Sequence, residues 1–287
     1  MAYIGPDGEK PVINEEIDDR YFREMPIKRL TTVKNKFPPD ETPVKAESGE
    51  TEKPAKKKSP PDRNLKEGIR LFRMKRWDNS LQELLLVKEE NIDSEEQAEL
   101  AYYTGLCYMK LERYEEAVFH LERVIATGYD VLRIYQCRLT LAYIYILTKR
   151  IKMADYELGR LQKNGFESVS LYNTLAYSAY TQKRYRNAIE FYEKALAMDK
   201  NNSTALNSMG FILADTGIDK AKGLQLCRRA VERSPKSAAY LDSLGWAHFK
   251  CGNLTEARNW LSRAADIAPK EKEIREHYRI VTGGKVW

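Results

Sequence analysis

A chain of 287 residues with 43% apolar and 31% charged side chains can bury a sizeable core, a balance that excludes a wholly disordered protein. Its formal charge of +6 is mild for this length and is not gathered into the long basic stripe of a nucleic-acid binder. The four cysteines (Cys107, Cys137, Cys227, Cys251) fall singly with no CxxC spacing, and His120, His248 and His277 show no i, i+4 pairing. No disulfide framework, metal site or other cofactor is therefore expected.

The first ten residues, MAYIGPDGEK, lack the basic end and apolar stretch of a signal peptide. The longest apolar run, around Leu141 to Leu147, is about half of the roughly twenty residues that span a bilayer. The expectation is a cytoplasmic protein without membrane insertion. Nine of the eleven prolines lie in the first 61 residues, and proline resists helical packing. Within this stretch, residues 20–37 (RYFREMPIKRLTTVKNKF) carry Tyr21, Phe22, Met25, Ile27, Leu30 and Val33, and make a candidate docking segment. Residues 38–62 are almost devoid of apolar side chains and are expected to stay disordered.

From about Asn64 onward, apolar residues recur at i, i+3, i+4 and i+7, the mark of amphipathic helices, broken by short polar turns such as KLERYEE, TQKRYRN and KCGNLTE. Two series of small residues run through this part. One is Gly68, Gly105, Ala142, Ala176, Gly210 and Gly245; the other is Ser80, Ala117, Ala154, Ala188, Gly223 and Ala257. A fixed period near 34 residues marks stacked copies of one supersecondary unit. Small residues recur because two antiparallel helices approach closely only where one side chain is nearly absent. The chain thus divides into a tail rich in Pro, Lys and Glu (1–62) and an array (63–287). The units fall at about 61–97, 98–134, 135–168, 169–202, 203–237 and 238–271, with a cap at 272–282. The first two spacings are 37 residues, and the fifth unit carries one extra residue in TGIDKAKG.

These residues resemble the tetratricopeptide repeat family. The sixth unit matches it through Leu244, Gly245, Leu254, Ala257, Leu261, Ala264 and Pro269; the second through Gly105, Tyr108, Tyr114, Ala117, Leu121 and Val124. The resemblance implies an all-α, right-handed α-solenoid of about six helix hairpins plus a C-terminal capping helix, preceded by the disordered tail. It also implies that the first helix of each hairpin lines a concave groove. Positions one helical turn apart on those helices give a peptide-binding groove of Tyr143, Asn173, Tyr177, Tyr180, Asn207, Phe211, Asp242, Trp246 and Phe249. Asn both donates and accepts, which suits a peptide main chain, and aromatic residues supply rigid contact area. Asn207 and Trp246 are expected to be reachable by another polypeptide. Chaperone-binding members clamp a terminal carboxylate with Lys, Arg and Asn, but Leu65, Ile69, Tyr103, Gln136 and Thr140 stand at those places, so an apolar segment is the better ligand.

No GxxxxGK[ST], HExxH or GxSxG is present, and the Glu-rich stretches are charged helix surfaces, so no enzyme is expected. The function implied is a non-catalytic scaffold or adaptor whose partner is another protein, held through a peptide or apolar segment, or the chain's own tail folding back. Two alternatives are a structural subunit assembling through the array ends and a helical-repeat binder of single-stranded RNA. The second needs many lysines and arginines for phosphate contact, and the groove positions offer few, such as Arg73, Lys110 and Lys250.

Overall fold

The computed structural model describes residues 63–128 and 130–284. The tail, its segment at 20–37, and Val286 and Trp287 lie outside the described residues. Among those described are thirteen α-helices and one 3-10 turn, with no strand. The helices pair in order: α1 (Arg63–Arg73) with α2 (Trp77–Leu85), α3 (Ser94–Lys110) with α4 (Tyr114–Thr127), and α5 (Val131–Leu147) with α6 (Ile151–Lys163). Then come α7 (Val169–Thr181) with α8 (Tyr185–Met198), α9 (Ser203–Thr216) with α10 (Lys220–Arg233), and α11 (Ala238–Lys250) with α12 (Leu254–Ile267). The last helix is α13 (Lys272–Thr282). Each pair packs mainly on itself and on the pairs beside it, which is a solenoid.

Local chemistry sets where these helices start and stop. Asp93, Asp130, Ser168, Asn202 and Ser237 stand just before α3, α5, α7, α9 and α11, and each side chain accepts a hydrogen bond from a backbone N–H of the first turn. Asp93 completes a reciprocal capping box with Glu96. Within each of five hairpins, the turn closes through one residue in the left-handed region: Lys75, Glu112, Lys149, Lys183 and Gly252. The next residue's N–H then bonds a carbonyl five positions back, as in Arg113 to Tyr108 and Arg184 to Ala179. The fifth hairpin absorbs its extra residue here: Gly217 takes the left-handed place and Asp219 reaches back six positions, to Leu213. The longer first spacings lengthen helices, since α3 and α5 have 17 residues against 13 or 14 in α7, α9 and α11.

The two small-residue series meet at the helix crossings. A methyl group on Gly245 would lie 2.7 Å from Leu261 and 3.2 Å from the Ala257 carbonyl oxygen. In the fifth hairpin a methyl on Gly223 would lie 2.7 Å from the Gly210 oxygen and from the Ala214 nitrogen. One turn beyond each crossing sits a buried side chain that fills the remaining gap: Leu84, Leu121, Leu158, Tyr192, Cys227 and Leu261. Leucine fills the gap in four hairpins, and two hairpins depart from it. Cys227 serves where Gly210 meets Gly223, and Tyr192 where Ala176 meets Ala188. Burial of one leucine contributes about 1.5–3 kcal/mol, whereas an N-cap contributes about 1 kcal/mol. Stacking therefore holds the array together, and the caps fix where each helix begins. The thiols are ordinary core groups: burial pushes Cys107 up to about 11 and Cys137 to about 12.

Candidate functional site: the face of the first helices

Side chains on α1, α3, α5, α7, α9 and α11 form a continuous row along one side of the solenoid. Its first half is apolar and closely packed, with Leu65 and Ile69 from α1, Tyr102 and Leu106 from α3, and Leu139 and Ile146 from α5, all buried. Tyr143 of α5 is half-buried, and its ring lies 6.0 Å from that of Tyr177 on α7. Tyr180, one turn further on, is also half-buried and meets Tyr185 at 6.0 Å. Burial pushes the Tyr177 and Tyr180 hydroxyls well above the usual tyrosine range, and the Glu273 carboxylate adds to both shifts.

The polar ladder occupies equivalent places on α7, α9 and α11. Asn173 donates its Nδ2–H to Asn202 Oδ1 at 3.1 Å, and Asn202 in turn caps α9. Asn173 Oδ1, Asn207 Oδ1 and Asp242 Oδ1 are each buried without a hydrogen-bond partner. A buried acceptor left unpaired costs about 1–3 kcal/mol. Three of them at matching positions in consecutive hairpins form a row of oxygens that lacks donors.

The far end of the row differs from the expectation drawn from the sequence. Asn207 is 7% exposed and Trp246 only 8%, so neither is openly reachable in this arrangement. The cause is α13. This helix packs on α11 and α12, and His277 from its middle lies flat against Trp246, ring centroids 4.1 Å apart and planes 16° from parallel. His277 Nδ1 is 2.8 Å from Asp242 Oδ2, and its ring is 6.3 Å from that of Phe211 on α9. Phe249 closes the cluster, 5.1 Å from Trp246. Trp246 donates Nε1–H to Asp215 Oδ1 at 2.9 Å, and Lys250 pairs with the same carboxylate at 3.1 Å. The nine expected groove residues therefore share one face, and its last third is covered by the chain itself.

Sequence reasoning treated 272–282 as a solvating cap and gave His277 and Asp215 no part in this face. The available signal was the spacing of Ile274, His277, Tyr278 and Val281, which marks an amphipathic helix with one polar ring on its inner side. Ile274, His277 and Val281 are indeed buried. Among the described residues, no group of His, Cys, Asp and Glu could hold a metal ion, and no helix is long and apolar enough to cross a membrane.

Residues 99–127, 169–202 and 219–272 each match a family model described as tetratricopeptide repeat. The chain belongs to the tetratricopeptide repeat family. Its relatives include the TPR repeat-containing protein PA4667 of Pseudomonas aeruginosa, 32% identical over 96 residues, or 32% of this chain and 16% of that protein. Mitochondrial import receptor subunit TOM70 of Homo sapiens is 21% identical over 210 residues, covering 69% of this chain and 34% of the receptor subunit. The chain thus spans between 16% and 34% of the length of these two relatives. Among solved structures, a tetratricopeptide repeat protein from Parabacteroides merdae superposes with a TM-score of 0.61 at 11% identity, covering 76% of this chain and 83% of that one. The APC/C hetero-tetramer Cut9-Hcn1 gives 0.65 at 14% identity, covering 76% and 42%. At these identities the tetratricopeptide likeness speaks for the fold.

Proposed function

We propose that this tetratricopeptide repeat protein is a non-catalytic interaction scaffold that captures a peptide segment of another protein along the face of its first helices. The observation that carries this reading is the aromatic row of the first helices, in which Tyr143, Tyr180, Phe211 and Phe249 keep part of their surface open. The row includes Tyr177 and Trp246 and runs beside the buried ladder of Asn173, Asn207 and Asp242. The aromatic rings offer contact area for apolar anchors on the same peptide. Phosphates suit this face poorly, because its ladder consists of acceptors and a carboxylate, and Lys250 is already paired with Asp215.

The test is selection from a randomised peptide library displayed on phage, followed by affinity measurement of the enriched sequences. The expected winners carry aliphatic or aromatic anchors. Asn173→Ala and Tyr143→Ala should each weaken binding about tenfold, the equivalent of about 1.4 kcal/mol. Absence of enrichment, or winners indifferent to both substitutions, would refute the proposal. So would tighter binding of an oligoribonucleotide with a steep salt dependence.

A further inference from the structure

We infer that α13 is a displaceable occupant of the Asp242–Trp246 end of this face, and that the external ligand competing for its place is an amphipathic helix bearing an arginine between aliphatic side chains. The inference rests on the peptide-capture reading and adds both the regulation of that site and the chemistry of its ligand.

A helix serving only to cover the last hairpin would place apolar residues against α11 and α12 and keep its polar residues in water. Part of α13 does this, since Ile274 packs into the core with Leu241 and Ala264, and Val281 with Ala257 and Leu261. Its middle does something else. His277 is buried between the Trp246 ring and the Asp242 carboxylate, and it reaches Phe211 on a hairpin that α13 has no need to cap. One ring nitrogen on a carboxylate, a flat face on an indole and aliphatic neighbours on both sides make up the contact set of a bound ligand.

The seat is also imperfectly filled. With α13 in place, Asp242 Oδ1 still has no donor, and neither has Asn207 Oδ1 on the adjoining helix. An imidazole offers Asp242 one N–H from Nδ1, and its other nitrogen points away from that carboxylate. A guanidinium presents parallel N–H groups that match both oxygens of a carboxylate, and its plane stacks on an indole as imidazole does. An arginine in the place of His277 therefore satisfies the oxygen that the resident helix leaves bare.

Release of α13 is feasible on its own terms. It has 11 residues, below the roughly 12–15 at which isolated helices become even marginally stable in water. It stays folded while docked and has no strong reason to persist once free. A short turn from Ala268 to Glu271 joins it to α12, and Gly283 and Gly284, both at positive φ, follow it. Lys272, Arg275, Arg279 and Ile280 face solvent. The charged groups around His277 come from every element packed there: Asp242 and the Lys250-paired Asp215 from α11 and α9, Glu273 and Glu276 from its own helix, and Arg258 of α12, which donates to the Val281 carbonyl.

The test uses the full chain and a fluorescein-labelled synthetic peptide spanning residues 270–284, read by fluorescence polarisation. His277→Asp sets a second carboxylate against Asp242 and should free α13. That variant is expected to bind the peptide at least tenfold tighter than the wild-type chain, whose seat is taken. A peptide carrying His277→Arg should bind the variant tighter again, and this advantage should vanish when Asp242→Asn is added to the chain. In the unaltered protein, hydrogen exchange should show the amides of α13 opening at least a hundredfold faster than those of α12. Equal protection of α13 and α12 would overturn the inference, as would a folded His277→Asp chain that ignores the peptide. If that chain still enriches library peptides sensitive to Asn173→Ala, the displaceable helix is wrong while peptide capture stands.

Discussion

Replacing one glycine of the first series with alanine separates a tight helix crossing from a forgiving one. A methyl group at Gly210 would sit 2.7 Å from Cys227 Sγ, 2.9 Å from the Cys227 backbone nitrogen and 2.9 Å from the Gly223 carbonyl oxygen. At Gly105 the nearest atoms are on the Leu121 side chain, at 3.0 and 3.1 Å, with His120 Cβ at 3.3 Å. Both changes remove a glycine from a helix interior, which favours alanine by about 0.8–1.0 kcal/mol. At Gly105 a leucine tip can give way by a few tenths of an ångström, so Gly105→Ala should leave stability within about 0.5 kcal/mol of wild type. At Gly210 two of the three obstructing atoms belong to the backbone of α10, which moves only if the helix moves. Overpacking costs about 1–3 kcal/mol, and obstruction by two backbone atoms puts this crossing in the upper half, about 2–3 kcal/mol, leaving Gly210→Ala about 1–2 kcal/mol less stable after the helix gain. Urea unfolding followed by circular dichroism reads both variants, with a lower midpoint at unchanged slope expected for Gly210→Ala alone. If Gly210→Ala matches or exceeds wild type, or Gly105→Ala falls as far, the crossings are not governed by backbone approach.

Two further expectations concern the last helix and the turns. Burial alone would lower the basicity of His277, but the Asp242 charge and hydrogen bond, with Glu273 and Asp215, outweigh it and raise its pKa above the ordinary 6.5. A raised native value means that the stabilisation is complete below about 6.5 and is lost as pH climbs through the native value. The near-ultraviolet dichroism of the Trp246 stack should therefore weaken on the alkaline side and not on the acid side down to pH 6. Asp242→Asn should abolish that slope; a loss that instead begins as the pH falls below neutrality would contradict the assignment. In the turns, Lys183 adopts φ 60°, a conformation that glycine fills without steric penalty in the sixth hairpin at Gly252. Lys183→Gly exchanges about 1–2 kcal/mol of left-handed strain for about 0.5–1 kcal/mol of added chain entropy. The urea midpoint should rise slightly, and a fall would show that the lysine side chain outweighs its backbone strain.

The helical hairpins were legible in the sequence because their determinant is local and steric. Gly245 and Ala257 declare a close crossing by residue type alone, and the polar breaks at KLERYEE and KCGNLTE coincide with turns closed by Glu112 and Gly252. That Asn173, Asn207 and Asp242 share one face was equally legible, since equal spacing from the small residues places them at equal angles on parallel helices. Which of them water can reach was not. The accessibility of Asp242 and Trp246 depends on where a helix 35 residues downstream comes to rest, and no periodicity within the hairpins encodes that placement. His277 looked like a lone histidine on a polar helix. Its meaning came from an acid and an indole that the chain brings together only on folding.

The fillers of the fourth and fifth hairpins, Tyr192 and Cys227, restrict how this array can evolve. Duplication and unequal exchange would join the first half of one hairpin to the second half of another. A partner helix spaced for Tyr192 would then face a crossing spaced for Cys227, leaving either a void or a collision. These two hairpins are no longer interchangeable with the four that leucine fills, so exchange at this place in the array is expected to keep whole hairpins intact.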